Sequence, residues 1–328
     1  MIPKYIKIKD NINLDITKNI YPIGSKLPTE VELAKQYNVS RSTIRQALDL
    51  LCEQGIISKH WGSGNTVVSK KENTKEKTVM VIVLDSKSPM ASNLVSDLTS
   101  LLAKNNLQLE THETHNSFQT ERTLLKALLT DVYGGLIIQM AHSSFPSPNI
   151  DILQLLLKRL VPVVFINSAP AGIYNPNIVK LDFYGKGYQI ARSLINSGHK
   201  KLGGIFVYDD ASSVECFSGF TDALRDANLD LMDEYYMWCS AHDPIGINSR
   251  STTTINRFLK KAYDFVSAVY VDDDRLSNEG MFPLYHCPLS PSKSLGRECV
   301  TALLAIKKNG NCTPITISFS QNSPSHKD

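Results

Sequence analysis

Five continuous apolar runs of strand length recur along the chain: VMVIVLD (79–85), GGLIIQM (134–140), VPVVFIN (161–167), KLGGIFVYD (201–209) and SAVYVDD (267–273). A run without polar alternation has no face to offer water, so each reads as a strand covered on both sides. Amphipathic stretches at about 91–104, 120–130, 150–159, 186–197, 215–227 and 249–264 lie between and after these runs. Strands and helices in alternation predict a parallel sheet with helices on both faces. Ligands of such sheets bind in a crevice at the carboxyl ends of the strands.

The stretch before these runs has a different grammar. Thr29-Glu30-Val31-Glu32 is a capping box, which predicts a short helix from about Glu30 to Tyr37. Asn38 tolerates the left-handed conformation that ends a helix, and Ser40 is a good N-cap for a second one. In that second helix Ile44, Ala47, Leu48 and Leu51 form one apolar stripe, which turns Arg41, Ser42, Arg45 and Gln46 outward. Outward Arg and Gln near a helix N-terminus suit base edges in the major groove, and Ser42 and Thr43 suit phosphates. Gly55 closes the helix. Ile56–Lys59 and Asn65–Ser69 then read as a hairpin around Trp61-Gly62-Ser63-Gly64, a wing whose glycines allow close approach to a backbone.

Taken in order, LPTE, A-x5-VSRSTIRQAL, L-x3-GII and G-x-G resemble the winged helix-turn-helix of the GntR regulators over the first 70 residues. The resemblance implies that Glu30, Arg41, Thr43, Arg45 and Gly62 stand where family members contact operator DNA. Trp61 replaces the Arg or His common at the wing tip, which leaves the wing contact to Lys59 and His60. The candidate DNA-binding set is completed by Ser40, Ser42, Gln46, Trp61 and Gly64. Ile8, Ile12, Ile16 and Ile20 mark a helix over Met1–Tyr21, ended by Pro22 and Gly24, and the resemblance places that helix beneath the recognition helix.

Further along, VKLDFYGKGYQIARSLINSGHKKLGGIFV followed by F-S-GFTDALRDANL resembles the sensor of the LacI regulators, a periplasmic-binding-protein fold. A GntR head on a LacI-type sensor is the architecture of the arabinose repressor family. The implied fold class is α/β, with an N-terminal winged helix-turn-helix joined to a two-lobed, doubly wound sensor. The expected domains are a head at 1–69, a linker at 70–77, a sensor at 78–321 and a tail at 322–328, with lobe one ending near Asn177 and lobe two beginning near Ile178. By position Asp182 and Asp274 match acidic residues near the family's cleft. Asp85, Ser86, Gln139, Asn167 and Phe183 lie at strand ends or loops facing it. Cys216 stands where the family commonly carries a ligand-binding Arg, and a thiol cannot replace a guanidinium fork. Only twelve residues, Arg275–His286, replace a further helix and strand, so a shortened second lobe is expected.

Composition bounds the remaining readings. A chain of 328 residues with 42% hydrophobic and 20% charged residues reads as ordinary globular protein of two or three domains. Its net charge of +3 is uneven: residues 1–70 carry ten Lys/Arg against six Asp/Glu, a net of +4, leaving −1 for the rest. That excess is modest for a nucleic-acid binder, which favours two copies on one operator, hence a homodimer. The six cysteines form no C-x-x-C pair and read as reduced thiols. With no leader and no long apolar run, a cytoplasmic, non-membrane protein is expected. ETHETH (110–115) on a strand or loop does not set two imidazoles on one helical face, and Asp272-Asp273-Asp274 reads as a strand-end loop, so no metal or cofactor is expected. No phosphate-loop, nucleophile-elbow or dinucleotide fingerprint occurs, so no enzyme is expected. The reading is a regulator, a repressor by expectation, that binds double-stranded operator DNA under the control of a small effector such as a sugar. Its rivals are a DNA-binding dimer whose sensor binds nothing, and a cytosolic sugar-binding or sugar-modifying protein.

Overall fold

The computed structural model describes residues 4–17, 19–60, 64–68, 75–241, 250–272, 285 and 289–321. The chain divides between residues 73 and 74 into two compact units.

In the first unit α1 (Lys4–Thr17), α2 (Glu30–Gln36) and α3 (Arg41–Glu53) precede β1 (Ile57–His60) and β2 (Gly64–Val67). The capping box is formed: Thr29 accepts the Glu32 N–H while its own N–H donates to the Glu32 carboxylate at 2.7 Å. Asn38 is left-handed at φ 51°, and Ser40 accepts the Thr43 N–H. Ile44, Ala47, Leu48 and Leu51 are fully buried against Ile12, Ile16 and Leu33. The strands pair antiparallel from Ile57↔Val67 to His60↔Gly64, and Leu27 adds to their edge by donating to the Asn65 carbonyl. One expectation is corrected here. The first helix stops at Thr17, well before Pro22, because Asn19 turns left-handed at φ 64°, and Ile20 is left exposed.

The second unit begins with β3 (Thr78–Val83), α4 (Pro89–Lys104), β4 (Gln108–Glu113), α5 (Phe118–Thr130), β5 (Gly135–Gln139), α6 (Ile150–Lys158), β6 (Val163–Ile166) and β7 (Ile178–Leu181). It continues with α7 (Phe183–Asn196), β8 (Leu202–Val207), α8 (Ala211–Asp226), β9 (Tyr236–Cys239), α9 (Arg250–Ala262) and β10 (Ala268–Val271). Last come β11 (Leu289–Pro291), α10 (Leu295–Asn309), β12 (Ile315–Ile317) and β13 (Phe319–Gln321). Six parallel strands in the order β12-β7-β6-β5-β3-β4 make lobe one, and the parallel set β10-β8-β9 makes lobe two. The apolar runs serve two faces, as their lack of alternation requires. Val79, Val81 and Val83 pack with α4 and α10, while Met80 and Ile82 pack with α5 and α6.

The lobe boundary differs from expectation. β7 and β12 both belong to the lobe-one sheet, and α10 packs on α4, so the chain leaves lobe one only after Leu181 and later returns to it. The linker also ends earlier than expected. Residues 70–74 lie outside the described residues, but Lys75 is anchored to lobe one, bonded to the Tyr133 hydroxyl and 3.0 Å from Glu110. In lobe two Tyr285 joins β10 by a parallel bridge to Tyr270.

Candidate nucleic-acid interface and effector cleft

The stripe that buries α3 leaves Arg41, Ser42, Arg45 and Gln46 exposed along one side of its first turns. Ser40, Ser42 and Thr43 join hydroxyls at that helix start, with Ser40 Oγ 2.8 Å from Ser42 Oγ and 2.7 Å from Thr43 Oγ1. Hydroxyls and unpaired N–H groups at a helix N-terminus form a surface suited to a phosphate. Glu30 on α2 grips Arg45 with both oxygens, at 3.3 Å to Nε and 2.9 Å to Nη2. The Arg45 hydrogen bond holds the Glu30 carboxyl below its ordinary value. This pair fixes the direction of a side chain that is itself 59% exposed. Lys59 on β1 is bonded to Asp49 of α3, so its charge is partly committed to the head. Gly64 begins β2 at φ 86°. Trp61 and Gly62 lie outside the described residues, and only the backbone of His60 is described.

In the sensor a cavity of about 1120 Å³ is lined by both lobes. Asp85, Gln139 and Phe183 line it as expected. Ser86, Asn167, Asp182 and Cys216 do not. Ser86 donates to Glu113, and Asn167, left-handed at φ 62°, accepts the Leu181 N–H at 3.2 Å. Asp182 caps α7 by accepting the Gly185 N–H at 2.8 Å. Cys216 is fully buried, 3.8 Å from the Tyr270 hydroxyl, and burial pushes its thiol well above its ordinary value. Asp274 lies outside the described residues.

Several lining groups escaped the sequence reading. Lys186 of α7 lies 3.0 Å from Asp272 Oδ1 at the end of β10, and Tyr270 donates to the same oxygen at 2.7 Å. Phe319 meets Phe183 edge-on at 5.7 Å. Asp210 accepts from the Ser212 N–H and the Ser143 hydroxyl; burial raises its pKa, and Asp272 raises it further. None of these forms a motif, because each comes from a different element. The single available sign was Asp272 at a strand end.

The lobes are also tied directly. Asp209, buried at the end of β8, accepts from Asn116 at 3.1 Å and faces His142 Nδ1 at 3.0 Å, both from lobe one. It accepts from Ser240 and the Ala241 N–H on its own lobe, each at 2.8 Å. Ser143 adds a bond from the Ala211 N–H at 2.9 Å, and Ser144 donates to the Tyr208 carbonyl at 2.6 Å. Beneath this segment the buried Glu121 accepts from the Ala141 N–H and from Asn149, and desolvation raises its pKa. In ETHETH, which runs from β4 into the turn after it, His112 bonds Glu110 at 2.8 Å and His115 sits 3.5 Å from Glu113. Among the described residues no three acidic, His or Cys side chains gather as a metal site, and no helix is long and apolar enough to cross a membrane.

Residues 4–67 match the family described as bacterial regulatory proteins, gntR family. Two relatives carry the name arabinose metabolism transcriptional repressor. That of Halalkalibacterium halodurans is 25% identical over 283 residues, covering 84% of this chain and 74% of the relative. That of Geobacillus stearothermophilus is 30% identical over 239 residues, covering 72% of this chain and 65% of the relative. Among solved structures the regulator CelR in complex with cellobiose superposes with a TM-score of 0.60 at 17% identity, over 90% of this chain and 98% of that one. CcpA of Lactococcus lactis gives 0.59 at 17% identity, over 75% and 97%. A gntR-type head followed by a LacI-like two-lobed α/β sensor fold therefore describes the chain.

Proposed function

We propose, from the premise of a gntR-type head joined to a LacI-like sensor fold, that this protein is a sequence-specific DNA-binding transcription regulator controlled by a small sugar. The observation that carries the DNA half is the exposed row Arg41, Ser42, Arg45 and Gln46 on a capped helix held by a second helix. Arg and Gln read guanine and adenine edges in the major groove, and the hydroxyls of Ser40, Ser42 and Thr43 hold the flanking phosphates. Two copies on a roughly palindromic operator supply the affinity that one weakly basic head lacks. The protein acts in the cytoplasm, as a repressor and not as an enzyme.

The relatives' names make arabinose the first effector to test. A sugar that binds the cleft differently in two arrangements of the lobes changes operator affinity, and operator changes sugar affinity by the same factor. The bonds through Asp209 and Ser143 favour a second reading, in which the sensor stays closed without ligand and serves as a dimerising scaffold. Binding to the DNA upstream of its own gene, measured across salt concentrations with and without pentoses and hexoses, separates the two. A sugar that shifts the affinity supports the effector reading; specific binding that no sugar shifts supports the scaffold; binding without sequence preference sinks both.

A further inference from the structure

Cys216 leaves α8 without the guanidinium expected at the cleft, yet the floor carries a positive charge from the neighbouring helix. Lys186 extends from α7, which packs closely on α8, and its ammonium sits 3.0 Å from Asp272. The two side chains are 18% and 6% exposed. The same nitrogen lies 5.6 Å and 5.8 Å from the ring centroids of Phe183 and Phe319. An ammonium only donates and a carboxylate only accepts. Side by side on a cavity wall they present a donor next to an acceptor. Adjacent hydroxyls on a sugar ring match that arrangement, since each can both give and take. The edge-on phenyl pair beside them offers apolar surface for the C–H face of the ring.

Charge separates this ligand from its phosphorylated counterpart. The described lining holds three lysines against four aspartates, and Asp272 already neutralises Lys186. A phosphate there would meet carboxylates without a net positive field to offset them.

We propose that Lys186 is the specificity-determining cation of the cleft. With Asp272 it grips adjacent hydroxyls of an uncharged sugar whose apolar face rests on Phe183 and Phe319. The inference rests on the sensor being effector-binding, as argued above.

The full-length protein is titrated by calorimetry with L-arabinose, D-xylose, D-glucose, cellobiose, D-glucose 6-phosphate and D-gluconate. At least one neutral sugar is expected to bind, and neither anion. Lys186→Met should lower the affinity for that sugar about tenfold to a hundredfold, the loss expected of a charge-assisted hydrogen bond. Because that variant leaves the buried Asp272 without its cation, the double variant Lys186→Met/Asp272→Asn is titrated beside it, with thermal unfolding as the fold control. The proposal is overturned if no neutral sugar binds, if an anion binds more tightly than its neutral counterpart, or if the folded double variant keeps wild-type affinity. Wild-type binding to its upstream DNA is measured in parallel. Failure there with sugar binding intact removes the regulator reading alone, and the reverse removes the sugar inference alone.

Discussion

Replacing His142 with Ala isolates the tie between the lobes. The imidazole Nδ1 faces the buried Asp209 at 3.0 Å, and its ring packs 4.8 Å from Phe118, while the backbone N–H of residue 142 donates to Asn116 Oδ1 at 2.6 Å. Ala keeps the last bond and loses the first two. A hydrogen bond to a charged acceptor contributes about 1.5–3 kcal/mol net, so roughly 2 kcal/mol of closure is lost, about 30-fold in the closing equilibrium. The Ala211 amide reports it directly, since it donates across the lobes to Ser143 Oγ. Where reclosing outruns exchange, amide protection follows the open population. Hydrogen exchange at Ala211 should therefore accelerate about 30-fold in His142→Ala, while amides in the centres of β3 and β8 keep their protection. Unchanged exchange at Ala211 in a folded variant would refute the tie.

Arg45→Ala and Arg41→Ala should each cost about 1–3 kcal/mol at the preferred operator and less on random DNA; selection from a randomised operator library checks this, and an unaltered consensus would count against the assignment. Thr29→Ala removes one half of the capping box and should lower the stability of the head by about 1 kcal/mol, read from thermal melts followed by circular dichroism. The Glu30 carboxyl is held below its ordinary value by Arg45, so its contribution is complete above 4.5 and is lost as pH falls through the lowered folded value. Glu30→Gln should flatten that acid limb of the stability profile, and an unchanged limb would show that the pair adds nothing.

The head was legible almost residue by residue because its signals are local. A cap, a left-handed Asn and an apolar stripe each act within four residues, and α2, α3 and the hairpin follow from them. The five apolar runs were legible for the same reason, as strands β3, β5, β6, β8 and β10. What stayed hidden was decided at a distance. β4 is an edge strand whose polar sequence QLETHE leaves it half-buried, β7 is a strand of only four residues, and β12 is a short strand that joins lobe one from far along the chain. The cleft shows the same division. Residues picked at strand ends reach it in part, as Asp85 and Gln139 do, whereas Lys186, Asp210 and Phe319 are assembled from α7, the turn after β8, and β13.

The phrase that carried the family resemblance in the sensor turns out to be largely about packing. Asp182 caps α7, and Gly187 and Gly219 let α7 and α8 cross closely. A Cβ at Gly187 would fall 1.9 Å from the Cys216 carbonyl oxygen, and one at Gly219 would fall 1.9 Å from that of Tyr184. Neither contact can be relieved by turning a side chain, because both obstacles are backbone. Gly219→Ala should thus force the helices apart and cost about 3 kcal/mol, roughly 10 °C in the melting temperature of a unit this size. A variant that melts within a degree or two of the parent would show that the helices can separate at little cost. If the cost is paid as expected, the phrase is held by the helix crossing and not by the ligand. Lys186, which lines the cavity one residue from Gly187, is then the position at which the proposed sugar contact can change while the fold, and the likeness it carries, stay as they are.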